Sequence, residues 1–191
     1  IQISLDEYQA KKVPILSNIS VKPAPGHVLV GQTKILPVEL EIAGPKEELA
    51  LINHVETAYD TISGITSPYF GTVEIESLGR LIEYSQNSVD INLDIQEISE
   101  RIIADIPVKV VHIPEKIRVF PSPQTVSLTV VGGVQRIAGL SPEEIQVIID
   151  FNDWNNQVQF YEPEVIIPPN VLEWRDISPR NLEVAVARAL K

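Results

Sequence analysis

Apolar and polar residues in this chain alternate with a period of two, and the alternation returns about 90 residues later. Val38, Leu40 and Ile42 alternate with Glu39 and Glu41. Val126, Leu128 and Val130 alternate with Ser127 and Thr129, 88 positions on. Val89, Ile91, Leu93 and Ile95 alternate with Asp90, Asn92 and Asp94. Leu182, Val184 and Val186 alternate with Glu183, Ala185 and Ala187, 93 positions on. A period of two puts the apolar set on one face of an extended strand and the polar set on the other. Each segment therefore predicts a half-buried antiparallel strand.

Other landmarks keep the spacing. Both Val38–Gly44 and Val126–Gly132 end in glycine, with Leu49 and Ile137 at the same offset beyond it. Val55–Asp60 matches Ile145–Asp150 at a distance of 90, and the apolar-Pro pairs Val13-Pro14 and Ile106-Pro107 lie 93 apart. The expectation is a tandem repeat. Residues 1–6 resemble Val89–Asp94, so residues 1–8 read as the closing strand of a preceding repeat. Residues 9–103 then form one repeat and 104–191 the next. The chain begins at Ile and has no Met, so it is expected to be a piece of a longer protein.

Fifteen prolines spread along 191 residues oppose long helices and favour short strands joined by turns. The predicted fold class is mainly β: small β-rich modules in tandem, elongated, with short helical turns. Gly44-Pro45 and Gly132-Gly133 are expected as structural turns. Pro45 would sit at an early helical position of a two-turn helix reaching Asn53. Ser141-Pro142-Glu143-Glu144 has the form of a capping box that starts one short turn. Ile95, Ile98 and Ile102 predict a linker helix over 95–103, and the Ser/Thr/Gly-rich stretch 60–71 predicts a long loop or edge ribbon.

The absence of cysteine excludes a disulfide framework, a thiolate metal site and a cysteine nucleophile. A net charge of −11 weighs against nucleic acid and against direct docking on an anionic membrane. No apolar run approaches the roughly 20 residues of a membrane helix, so any anchor must lie outside these residues.

Site signals are sparse. His27, His54 and His112 have no partner at ligand spacing, and Asp90, Asn92 and Asp94 lack the glycine turn and bidentate acid of a calcium loop. Neither a phosphate loop nor a nucleophile elbow is present. No catalytic, metal or cofactor residue is assigned, and no cofactor is expected. Phe151, Trp154, Phe160, Tyr161 and Trp174 concentrate in the second repeat. There Trp154, Tyr161 and Trp174 are a candidate interaction surface if exposed, or part of a larger core if not. Asn152–Gln157 predicts a polar hairpin turn with Trp154 near its tip.

The order of landmarks resembles that of YbbR-like domains. These are Leu5-Asp6 before Val13-Pro14, then Pro25-Gly26-His27-Val28, a strand ending in Gly44-Pro45, the spacer Leu49/Ile52/Val55/Thr57, and the exit strand Val89/Ile91/Leu93. The second copy departs by carrying Gly133 where Pro45 stands, and Pro114-Glu115 in place of the Pro-Gly turn. The resemblance covers nearly the whole chain. It implies small β-rich modules in tandem, extracytoplasmic behind one N-terminal membrane anchor, similar in fold to a domain of stress-type ribosomal proteins. It implies no catalytic residues. It also implies a protein partner, a membrane diadenylate cyclase that makes cyclic di-AMP. A binding module for envelope carbohydrate or polymer, or a structural spacer, is the alternative; a hydrolase with a scattered carboxylate pair is the rival from another class.

Overall fold

The computed structural model describes residues 7–155 and 157–188, so the strand expected over residues 1–6 lies outside the described residues. The chain is mainly β and divides into two compact units, 1–96 and 97–191.

The first unit contains β1 (Tyr8–Leu16), β2 (Ile19–Pro23), β3 (His27–Leu29), β4 (Lys34–Leu36) and β5 (Glu39–Pro45), then α1 (Lys46–Leu51). It continues with β6 (Val55–Glu56), β7 (Asp60–Ile65), β8 (Tyr69–Glu74), β9 (Glu83–Tyr84) and β10 (Ser88–Leu93). One sheet has the order β6-β1-β5-β9: β1 runs antiparallel to β5 and parallel to β6, and β9 lies antiparallel to β5. A second sheet has the order β4-β10-β8, and β2 pairs with β7 in a parallel ribbon. Leu40, Ile42, Val89 and Ile91 point into the core with Val13, Ile15, Leu49 and Val55, while Glu39, Glu41 and Asp90 face solvent. The alternation read from the sequence is the inside-outside pattern of these strands, except that Val38 precedes β5 and is exposed.

The second unit repeats the arrangement. Its strands are β11 (Ile95–Val111), whose first two residues belong to the first unit, β12 (Ile117–Ser122) and β13 (Thr125–Gly133). Then come α2 (Val134–Ala138), β14 (Gln146–Asp150), β15 (Glu164–Ile166), β16 (Glu173–Ser178) and β17 (Glu183–Arg188). The order β14-β11-β13-β16 matches β6-β1-β5-β9, with the same parallel and antiparallel directions. β12 pairs with β17 as β4 pairs with β10. Val126, Leu128, Val130, Ile106 and Leu182 are buried; Val184 is half-buried and Val186 exposed, so the closing strand keeps only part of its expected apolar face.

Residues 95–103 are strand, not the expected linker helix. Isoleucines three and four apart fit a helical face, but Ile is stiff at χ1 and favours extended backbone. The pairing with β13 settles the matter, from Ile98 opposite Gly133 to Pro107 opposite Thr125. Ile98 and Ile102 are exposed, so their spacing from the buried Ile95 does not mark one buried face. Beyond them a bulge between Ile103 and Ile106, with Asp105 at φ 58°, spaces the buried positions three and then two apart. The bulge also corrects the apolar-Pro match. Leu40 faces Val13 and Leu128 faces Ile103, so Val13 corresponds to Ile103 rather than to Ile106. The stretch 60–71, expected as a loop or edge ribbon, holds β7 and the start of β8, joined by Thr66-Ser67-Pro68.

Each unit turns from strand to helix at its glycine. Gly44-Pro45 ends β5 and leads into α1; Pro45 is the N-cap, one position earlier than expected, and the helix stops at Leu51. Gly132-Gly133 ends β13 and leads into α2. A Cβ on Gly44 would stand 2.8 Å from the Leu81 carbonyl oxygen and from Ile82 Cδ1; on Gly132 it would meet only Ile137 Cγ2, at 2.9 Å. The helix ends are tied back to the central strand. Lys11 Nζ donates to the Ile52 carbonyl. Arg101 Nη1 donates to the carbonyls of Ile137 and Ala138, both at 2.8 Å, and of Leu140 at 3.2 Å. These are the carbonyls that a helix terminus leaves unsatisfied. The predicted capping box forms, with Glu144 Oε1 accepting from the Ser141 N–H at 3.0 Å around one 3₁₀ turn. Among the described residues no helix is long and apolar enough to cross a membrane.

The two glycines differ in what a methyl would strike. Gly44→Ala is expected to cost about 3 kcal/mol, because a backbone carbonyl cannot step aside, and Gly132→Ala about 1 kcal/mol, because a side-chain methyl can. Urea denaturation of both variants checks the order; equal costs would contradict it.

Candidate functional site

The aromatic region of the second unit is built from the end of β14. Asp150 caps the 3₁₀ turn Phe151–Asp153, its Oδ1 accepting from the Asn152 N–H at 2.9 Å. The turn delivers Trp154 against Phe151, with ring centroids 5.4 Å apart and planes 7° from parallel. Trp154 is half-buried and packs on the unit's core, rather than standing at the tip of the expected hairpin. Tyr161 is 9% exposed and faces Leu182 across an isolated bridge. Its hydroxyl accepts from the Asn155 N–H at 2.9 Å and donates to the Asn155 carbonyl at 2.8 Å. Tyr161 thus secures the segment after Trp154 and is not itself a contact surface.

A groove runs between this segment and the closing strands, lined by Trp154, Asn155, Val158 and Gln159 on one side and by Ser122, Glu183, Val184 and Ala185 on the other. Gln159 Nε2 donates to Glu183 Oε1 at 2.9 Å across it. Trp174, 37% exposed on β16, lines a separate groove with Glu162, Asp176, Ile177 and Arg180, where Arg180 Nε donates to Glu162 at 2.8 Å. The structure therefore brings Trp154 and Tyr161 together and leaves Trp174 apart.

The first unit carries an exposed apolar pair on an outer face that the sequence reading missed. Opposite its buried face, the β4-β10-β8 sheet presents Leu36, 63% exposed, and Phe70, 71% exposed, with Thr72, Asp90 and Asn92 between them. Val38, 66% exposed, follows on the chain just beyond Leu36. Single exposed apolar residues are ordinary; here two stand close together on a face whose other members, Lys34, Thr72, Asp90 and Asn92 among them, are polar. The polar-apolar alternation concealed it, since Phe70 and Leu36 stand at positions that fit either face.

The remaining polar groups are committed locally. Asp90 accepts from Thr72 at 3.0 Å and Asp94 from Gln96 at 3.0 Å. His27 bonds the Pro25 carbonyl, and His54 lies 3.4 Å from Glu56. His112 meets Asp150 at 3.0 Å, a contact set by the parallel pairing of Val111 with Asp150 and so invisible to local spacing. Among the described residues no three His, Asp or Glu side chains gather at metal-binding range.

No family model matches the chain, and no curated protein matches it. Among solved structures, a protein from Streptococcus pneumoniae TIGR4 matches 98% of this chain and 99% of its own, at 13% identity and a TM-score of 0.42. That protein is described as YbbR-like. A solution structure from Streptococcus thermophilus matches 50% of this chain and 91% of its own, at 21% identity and a TM-score of 0.39. The chain is thus similar, along almost its whole length, to a YbbR-like protein.

The Asn152 N–H, and to a smaller extent His112, hold the Asp150 carboxyl below its ordinary range, against a partial opposing effect of desolvation. A depressed folded pKa gives stabilisation that is complete above the unfolded value of about 3.9 and is lost as pH falls through the folded value. Below that range the turn should loosen, and Trp154 emission, read in a Trp174→Phe background, should shift. Asp150→Asn keeps an acceptor at the cap but cannot titrate, so its emission should stay flat over the same acid range. An identical acid shift in both proteins would place the transition elsewhere.

Proposed function

We propose that the two units are copies of one YbbR-like module and that the chain is a non-catalytic protein-interaction array. In this reading it lies outside the cytoplasmic membrane, tethered by an anchor N-terminal to these residues, and its partner is a membrane diadenylate cyclase. The observation that carries the interaction function is the outer face of the β4-β10-β8 sheet, where Leu36 and Phe70 stand exposed on either side of Asp90 and Asn92. A folded unit gains nothing from holding two large apolar side chains in water, and a partner that covers them recovers roughly 25 cal/mol per Å² of apolar surface. The recurrence of β6-β1-β5-β9 as β14-β11-β13-β16 supports the repeat. Repeated modules supply area and reach and need no catalytic group. The cyclase, the anchor and the extracytoplasmic setting are what the resemblance to YbbR-like domains implies.

Affinity capture of the full-length protein from its own cells, compared with an anchor-only control, tests the reading. A diadenylate cyclase should be enriched, and a Leu36→Ser/Phe70→Ser variant with unchanged circular dichroism should recover at least about tenfold less of it. Recovery of no cyclase above the control, or of envelope polymer instead, would sink the regulatory function and leave the spacer or envelope-binding one.

A further inference from the structure

Both units build the same frame, but they differ at one place. In the first unit β8 crosses β10 as a regular strand, with Val73 facing Val89. At the matching place in the second unit Tyr161 faces Leu182 through a single bridge, and the residues before it leave the sheet to carry Trp154, Asn155 and Gln159. The first unit closes its core without such a departure, so the frame does not require it.

We propose that the groove between this segment and β12/β17 is a binding site for a neutral, β-linked oligosaccharide, an activity beyond the protein contact proposed above and resting on other residues. The chemistry of its walls points to that class. An indole ring attracts the weakly positive C–H face of a pyranose through its own negative face. Ser122, Asn155, Gln159 and Glu183 supply a hydroxyl, two amides and a carboxylate, the donors and acceptors that pair with vicinal hydroxyls. β-1,4-Linked chains of glucose or N-acetylglucosamine keep their ring substituents equatorial and their C–H faces flat, which suits a ring flanked by polar groups. Among the described residues no Lys or Arg lines the groove, and Glu183 repels a uronate or phosphate.

The site is also held before any ligand arrives. Phe151 fixes the plane of Trp154, Tyr161 binds both backbone groups of Asn155, and the Gln159–Glu183 hydrogen bond aligns the amide with the carboxylate. Pre-set side chains lose little rotamer freedom on binding, which favours a weak, open-sided ligand such as a sugar chain.

Isothermal titration of the chain with chitotetraose, cellotetraose and a β-1,4-linked tetraglucuronate, which differs from cellotetraose in its carboxylates alone, tests the proposal. At least one neutral tetramer should bind saturably, with the uronate at least about tenfold weaker. Trp154→Ala should weaken the neutral ligand about tenfold or more. Because Trp154 also supports the core, the exposed Gln159→Ala provides the second reading, expected to weaken binding about fivefold with an unchanged unfolding transition. Trp174→Phe should leave the affinity as it was. Saturable binding by neither neutral tetramer would overturn the proposal, as would binding undiminished in both the Trp154 and Gln159 variants, or a uronate that binds as well. Leu36→Ser/Phe70→Ser should leave sugar binding intact, so failure of the cyclase reading and failure of this one are told apart.

Discussion

Each unit depends on a central strand that is hydrogen-bonded on both sides, antiparallel on one and parallel on the other. β1 lies between β5 and β6, and β11 between β13 and β14. A strand can meet an antiparallel neighbour through a tight turn, but a parallel neighbour needs the chain to cross back over the sheet. α1 and α2 make that crossing in six and five residues. Helices so short cannot hold themselves, since nucleation alone outweighs the few hydrogen bonds they close. They persist because Leu49 and Ile137 are buried in the core and because a basic side chain of the central strand binds their free carbonyls. The glycine before each helix completes the corner by letting the backbone pass close under its neighbours. A side chain at Gly44 would strike a carbonyl of the segment that leads into β9, and so would strain the crossing at its first step.

Much of this was legible in the residues. The four alternating segments became β5, β10, β13 and β17, because a two-residue period with one buried face admits only one register. The capping box at Ser141 formed because its two reciprocal hydrogen bonds are local. What escaped was whatever depended on pairing across the sheet. The bulge at Asp105 shifted the buried positions of β11 by one residue. That shift made Ile106-Pro107 look equivalent to Val13-Pro14, while Ile98 and Ile102, which looked like part of a helical face, stand exposed ahead of the bulge. Lys11 and Arg101 occupy the same place, opposite Ile42 and Val130, yet they differ in residue type and sit at an offset that the glycine landmarks do not share. The candidate site was legible only in part. The aromatic residues of the second unit were visible as a group, but exposure separated them: Tyr161 went inside, Trp154 to the wall of a groove, and Trp174 to another groove.

The two units therefore divide what they share from what they do. The shared part is the mixed sheet with its glycine corner and basic tie, although its edge strand β16 carries the exposed Trp174 of the second unit. What differs lies on the layer of the closing strand. In the first unit β8 pairs regularly with β10, and the outer face of that sheet holds Leu36 and Phe70 exposed beside Asp90 and Asn92. In the second unit the equivalent strand is reduced to one bridge and replaced by a segment rich in aromatic and amide side chains. Replacing a strand by a loop sacrifices ladder hydrogen bonds, and the second unit recovers part of that loss through the Tyr161 hydroxyl, the Phe151–Trp154 stack and the Asp150 cap. A frame that closes with a strand in one unit and with a loop in the other can vary its surface at this position without disturbing its core.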